Sequence, residues 1–286
     1  MKIDKKLSVF GASGFIGSEF CSLYPEISIK IPRDQTAPET NNVLYLISTV
    51  HNYNVFKDPH LDIETNLNLL IKVLENCKQK YGNSFDFNFV SSWFVYGKTE
   101  DLPASENSEC NPRGFYSITK RAAEQLLVSY CETFDIKYRI MRLCNVYGTK
   151  DKKASKKRNA VQFLTSEVVN SRDINLYDAG ENIRDFLHIE DVCRALNLII
   201  DKSNFNDTIN VGSGQPSKFI EIMNYVKNKT GSTSTFNAVD PPDFHKVVQV
   251  QDMFLNVEKL NSLGFKPKYT INDGIDLLIK NLQEKE

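Results

Sequence analysis

Short apolar runs alternate along the chain with longer stretches in which apolar positions recur every three or four residues. LSVF at 7–10, ISIKI at 27–31, NVLYLIS at 42–48, FDFNFVSS at 85–92 and KYRIMRL at 137–143 have the length and near-continuous hydrophobicity of strands buried on both faces. IETNLNLLIKVLENCKQKYG at 63–82 and SITKRAAEQLLVSYCETF at 117–134 carry the helical spacing instead. This alternation predicts an α/β fold, a parallel sheet covered by helices on both faces, with ligands collecting at the carboxyl ends of the strands.

Between ISIKI and NVLYLIS the chain has only IPRDQTAPETNN to spend. That is too little for a crossover helix and a further strand, so a trimmed version of the doubly wound sheet is expected. From about Asn159 the pattern becomes less regular, with helices predicted over VQFLTSEVVN at 161–170, EDVCRALNLIID at 190–201 and INDGIDLLIKNLQ at 271–283. Residues 1–158 are therefore assigned mainly to a nucleotide-binding domain, and 159–286 mainly to a smaller substrate-binding lobe, with some chain crossing back. The lysine-dense segment TKDKKASKKR at 149–158 reads first as a solvated, mobile loop and second as a flap near substrate phosphates.

Charge and composition narrow the function. Over 286 residues, 35 Lys and Arg oppose 36 Asp and Glu, which argues against a nucleic-acid partner. No apolar run approaches the roughly 20 residues of a membrane span, so no membrane association is expected and the protein reads as cytoplasmic. The six cysteines, Cys21, Cys77, Cys110, Cys131, Cys144 and Cys193, are scattered without a CxxC pair. They read as thiols in a reducing compartment rather than a disulfide frame or metal site, and no metal is expected.

GASGFIG at 11–17 follows the first apolar run and precedes a helical stretch. In that strand-turn-helix context glycines let the backbone turn tightly and approach a pyrophosphate, whose charge meets the N–H groups of the helix start. The turn identifies the sheet as Rossmann-type and makes Gly11, Ser13, Gly14, Phe15, Ile16 and Gly17 candidate cofactor-binding residues. At the end of the second strand, Asp34 could hold an adenosine ribose, whereas Arg33 would accommodate a 2'-phosphate. Arg33 makes NADP(H) the preferred cofactor and leaves NAD(H) open.

Tyr116 and Lys120 stand four apart in YSITK and share a helix face. A neighbouring ammonium favours phenolate, so Lys120 is expected to lower the Tyr116 pKa and suit it to passing a proton to or from a carbonyl/alcohol pair. Ser92, at the end of FNFVSS, could hydrogen-bond the same substrate oxygen.

The series GASGFIG, SSWFVYG, YSITK, RLCNVYG, RDFLHIEDV and NVGSG, in this order over residues 7 to 215, resembles the extended short-chain dehydrogenase/reductase family of nucleotide-sugar epimerases, dehydratases and reductases. The resemblance implies a catalytic triad of Ser92, Tyr116 and Lys120, with Lys120 also on the dinucleotide. It places Asn145 near the sugar diphosphate of a nucleotide-diphosphate sugar and Arg184 on that diphosphate; the alternative for Arg184 is an ion pair with Asp185 or Glu190. Asn66 sits where the family has an asparagine, although by itself it could face solvent, and His188 reads as structural. The resemblance also implies a homodimer formed through two helices, including the YxxxK helix.

The family's 4,6-dehydratases carry an acidic pair directly after the catalytic serine or threonine, where this chain has Trp93 and Phe94, so dehydration is not expected. Arg33 and the compact cofactor half favour reduction of a 4-keto-(di)deoxy nucleotide sugar. An NAD-dependent nucleotide-sugar epimerase is the rival within the family. A non-catalytic dinucleotide-binding regulator is the rival from another class, and the retained Ser92, Tyr116 and Lys120 count against it.

Overall fold

A computed structural model describes residues 6–99, 101–151, 155, 159–248 and 250–284. The five sequence-predicted strands all form, as β1 (Leu7–Phe10), β2 (Ser28–Lys30), β3 (Asn42–Tyr45), β4 (Asp86–Ser92) and β5 (Lys137–Leu143). A sixth, Asp207–Val211, was not among those read from the sequence. The sheet order is Asp207–Val211, β5, β4, β3, β1, β2, and every pairing is parallel. The chain is therefore α/β with a doubly wound parallel sheet.

Alternation along each strand feeds two cores. Val9, Leu44, Val90 and Met141 face one side with Val192, Leu196 and Ile199 of the helix Ile189–Lys202. Phe10, Val43, Tyr45, Phe87, Phe89 and Ile140 face the other, against Leu70, Val73 and Leu74 of α3 (Leu69–Tyr81) and Leu127 of α4 (Phe115–Thr133). Because both faces are dry, the strand sequences lack the polar alternation of a half-exposed sheet.

Residues 31–41 link β2 to β3 without a helix, as the short spacing predicted. The link is pinned across β1 by Ser8, whose hydroxyl oxygen accepts from the backbone N–H groups of Glu39 and Thr40. The helix Ile189–Lys202 and the strand Asp207–Val211 rejoin the sheet from the second half of the chain, while Ala160–Val169, Phe219–Thr230 and Ile271–Gln283 build a separate apolar cluster. All six cysteines are free thiols, five of them buried. Among the described residues no helix is long and apolar enough to cross a membrane.

Candidate active site

β1 leads into Gly11, whose φ of +81° suits glycine, and Gly14 N–H donates to its carbonyl at 2.9 Å. Gly14 opens α1 (Phe15–Leu23) without a side-chain cap, leaving the N–H groups of the first turn to a ligand. A Cβ on Gly17 would stand 2.3 Å from the Gly11 carbonyl oxygen, so this turn can be this tight only with glycine there. An uncapped helix start and a side-chain-free backbone cradle fit a pyrophosphate.

The turn opens on a cleft of about 1000 Å³. The same cleft is lined by Ser13, Phe15, Ile16, Arg33, Ser92, Tyr116, Lys120, Asn145 and Arg184, so these sequence-predicted site residues meet in one place, while Asp34 and Asn66 do not line it. The fold explains why: these positions follow the carboxyl ends of β1, β2, β4 and β5 or lie on elements packed over them.

Tyr116 is in the first turn of α4. That helix starts at Gly114, where a Cβ would lie 2.2 Å from Asn52 Oδ1. Asn52 occupies that space as a cap supplied from a distant 3₁₀ helix, Asn52–Phe56, its Oδ1 accepting from Ser117 N–H at 3.3 Å. Ser92 ends β4 and its hydroxyl oxygen accepts from Phe94 N–H at 3.3 Å. Trp93 and Phe94 stack at 4.0 Å between centroids, and Phe94 meets the Tyr116 ring edge-on at 5.7 Å. The residues after Ser92 therefore present aromatic faces and no carboxylate.

The electrostatics correct one expectation. Burial pushes the Tyr116 phenol up, opposed by the facing Ser92 and Ser48 hydroxyls and reinforced by Asp62; Lys120 does not lower it. Lys120 Nζ instead donates to the Val90 carbonyl at 2.8 Å and lies 4.1 Å over the Phe89 ring. Burial brings the lysine down to about 7, with Glu124 pulling the other way. Sharing a helix face does not join the ammonium to the phenol here, because β4 offers the ammonium a carbonyl and a ring first.

Two further readings change. Arg184 forms no ion pair with Asp185 or Glu190: Asp185 accepts from Ser213, Gly214 and Leu255 N–H groups, and Glu190 from Lys268 and Tyr269. Its guanidinium donates to the carbonyls of Ile183, Val250 and Gln251 and sits 5.7 Å over Trp93, so it reaches the cleft with most of its fork engaged. Asn66 does not face solvent. It is buried in a π-helical turn, Glu64–Asn68, accepting from Ser48 Oγ and Thr49 N–H and donating to Thr49 Oγ1 and Thr119 Oγ1.

Asn145 donates to the Asp185 carbonyl at 2.9 Å, aligned by the pairing of Asn145–Tyr147 with Phe186–His188. His188 has the structural place expected, its Nδ1 accepting from Glu190 N–H at the start of a helix. Most of the lysine-dense segment lies outside the described residues. Lys150 and Asp151 line the cleft, and Lys150 pairs with Glu19 of α1 at 2.7 Å.

Sequence reasoning missed Ser48, Thr49 and the cleft's far wall. Ser48 and Thr49 follow an apolar run at a strand end, the same signal that identified Ser92. The wall is formed by Tyr53, Phe244 and His245, with Tyr53 Oη hydrogen-bonded to His245 Nε2 and Phe244 backed at 4.6 Å by Phe56, which does not itself line the cleft. No periodicity links residues that far apart in the chain.

Comparison with known proteins agrees with this geometry. Residues 36–212 match the model of the NAD dependent epimerase/dehydratase family. A dTDP-4-dehydro-6-deoxyglucose reductase from Escherichia coli is 24% identical over 249 residues, 85% of this chain and 75% of the relative. A UDP-glucose 4-epimerase from Thermotoga maritima, solved with UDP-glucose, has a TM-score of 0.86 at 22% identity, covering 98% of this chain and 99% of that one. RMD from Pseudomonas aeruginosa, solved with NADPH, has a TM-score of 0.84 at 22% identity with the same coverage. At these identities the two structures speak for the fold.

Proposed function

The chain belongs to the NAD dependent epimerase/dehydratase family, and from that premise we propose that it reduces a 4-keto-(di)deoxy nucleotide sugar with NADPH. The observation that carries the choice is Arg33. It is exposed at the end of β2 and lines the cleft beside the glycine turn, whereas Asp34 does not. A guanidinium there suits a 2'-phosphate, and NADPH suits an enzyme that consumes hydride.

The dinucleotide supplies hydride to C4 when bound. The protein supplies the rest. Ser92 donates a hydrogen bond to O4, polarising the carbonyl, and Tyr116 gives O4 a proton as hydride arrives at C4. Because burial holds the phenol up, Tyr116 stays protonated at neutral pH, as a proton donor must. Lys120 and the glycine turn hold the dinucleotide, and Asn145 and Arg184 hold the sugar diphosphate. Trp93 and Phe94 provide no acid-base pair for eliminating water.

Purified protein given NADPH and a 4-keto-6-deoxy nucleotide sugar is expected to oxidise NADPH in proportion to product. Interconversion of two sugars with no net change in nicotinamide absorbance would make it the epimerase. Arg33→Ala is expected to weaken NADPH binding roughly ten-fold or more, the loss of a charge-assisted contact, and to leave NADH binding nearly unchanged. Equal affinities of variant and parent for NADPH would overturn the cofactor choice.

We propose a homodimer that pairs through two helices including α4, where Ile118 and Leu126 are 47% and 42% exposed. Light scattering is expected to give twice the chain mass, and a monomer would refute the pairing.

A further inference from the structure

The far wall of the cleft joins the two halves of the chain. Tyr53 comes from the 3₁₀ helix Asn52–Phe56 and His245 from the short helix Asp243–Val248, and Tyr53 Oη is hydrogen-bonded to His245 Nε2. Both sides are anchored. Asn52 caps α4 through Ser117 N–H, and Asn54 Nδ2 donates to Asp62 Oδ1 at 2.9 Å, so Tyr53 stands between two fixed asparagines. On the other side, His245 meets the Tyr177 ring edge-on at 5.0 Å, at the end of a strand, Ile174–Tyr177, that pairs with Phe236–Val239 just before the His245 helix.

These anchors put the wall beside the first turn of α4. Asn52 contacts the N–H of the residue after Tyr116, and Tyr53 is the residue after Asn52. What the wall offers there is rings. Tyr53 lies 5.3 Å from Phe244 and 5.4 Å from His245 between centroids, and Val248 also lines the cleft. The phenol and Nε2 are bonded to each other, and His245 Nδ1 is buried without a partner, closed off from the cleft. Asp243 and Lys246 of the same helix pair with each other at 3.1 Å, and neither lines the cleft.

We propose that the Tyr53–His245 pair is a specificity determinant that selects nucleotide sugars carrying a methyl group, rather than a hydroxymethyl or a carboxylate, at C5. The proposal rests on the reading of the cleft as a nucleotide-sugar site with C4 at Ser92 and Tyr116. In a hexopyranose C6 is the carbon outside the ring, and C5, which bears it, adjoins C4. C6 therefore projects at the reacting end, away from the diphosphate on C1. A methyl group gains by leaving water for the rings. A hydroxyl gives up hydrogen bonds to water that a wall bonded to itself does not replace, and a carboxylate gives up more.

Calorimetric titration of the NADPH-loaded protein with alcohol-form sugars, which it cannot reduce, reads the wall without turnover. UDP-6-deoxyglucose is expected to bind about ten-fold to a hundred-fold more tightly than UDP-glucose, the range a hydrophobic pocket reaches for one small substituent, and the dTDP pair to give the same ratio. Tyr53→Phe takes the phenol from His245 Nε2, which can then bond a 6-hydroxyl, so the ratio is expected to fall to about three-fold or less. Adding His245→Phe makes the wall apolar again and is expected to restore the parental ratio. A purely structural role would weaken both sugars together and leave the ratio unmoved. Equal affinities in the parent, a ratio unchanged by Tyr53→Phe, a double variant no more selective than the single one, or no binding of either series overturns the proposal. If the preference holds but a 4-keto-6-deoxy nucleotide sugar fails to oxidise NADPH, the reductase reading fails and the role of the wall stands.

Discussion

Tyr116→Phe is expected to lower turnover by about 10²–10⁴-fold, the range for loss of a positioned general acid, with dinucleotide affinity nearly unchanged. The ring of Tyr116 is 7% exposed and packs edge-on against Phe94, so phenylalanine keeps the apolar contacts and loses only the reacting oxygen. Stability should barely change, because the lost hydroxyl is one that burial penalises when ionised. The pH profile separates this role from a structural one. A raised phenol is neutral through the physiological range, so reduction, which needs the protonated form, should be flat with pH and fall only on the alkaline side. Oxidation of the corresponding alcohol needs phenolate and should rise over the same limb. Stopped assays in both directions against pH provide the check, and near-parental turnover of the variant would remove Tyr116 from the chemistry.

The strands that could be read from the sequence are those whose two faces are both buried in aliphatic and aromatic cores. Asp207–Val211 escaped because three of its five residues are polar, yet Asn210 is wholly buried. Its side chain accepts from Tyr96 Oη and donates to the carbonyls of Ala104 and Asn256. A buried amide that meets partners from distant segments has no local signature. The glycine turn and the Ser92 and Tyr116 positions were legible because each sits at a strand end or first helical turn, where topology alone predicts a cleft, and Lys120 follows from Tyr116 by the four-residue spacing of a helix face. How the groups would be charged was not legible. Lys120 is four residues from Tyr116 in sequence, but which carbonyl and ring receive its ammonium depends on β4, a strand that ends 28 residues before the lysine, and no spacing rule encodes that contact. The aromatic wall formed by Tyr53, Phe244 and His245 depends likewise on how the two halves of the chain meet.

Glu124→Gln is expected to cost roughly 3–5 kcal/mol of folding stability, the scale for breaking a buried ion pair from one side. Glu124 lies one turn beyond Lys120 on α4, and its side chain is 1% exposed. Arg142 of β5 grips it with two bonds, Nε to Oε1 at 3.0 Å and Nη2 to Oε2 at 2.8 Å, and Arg121 adds a third at 2.9 Å. Burial alone would raise the carboxyl, but the bonds and charge of Arg142, with Arg121, outweigh it and hold Glu124 below the ordinary carboxylate range. A depressed folded value contributes stability above the unfolded value, near pH 4.3, and that contribution disappears as pH falls through the lower folded value. The deficit of Glu124→Gln should therefore be full at neutral pH and shrink in acid, which denaturant unfolding at a series of pH values would measure. The same carboxylate is the counter-charge that props up Lys120, so the variant should also hold its lysine neutral at lower pH and weaken dinucleotide binding as pH rises. Replacing both partners, as Glu124→Leu with Arg142→Met, removes the stranded charge and should recover much of the stability without recovering the binding. Equal losses of stability in the single and double variants would mean that packing, and not the pairing of these charges, holds α4 to the sheet.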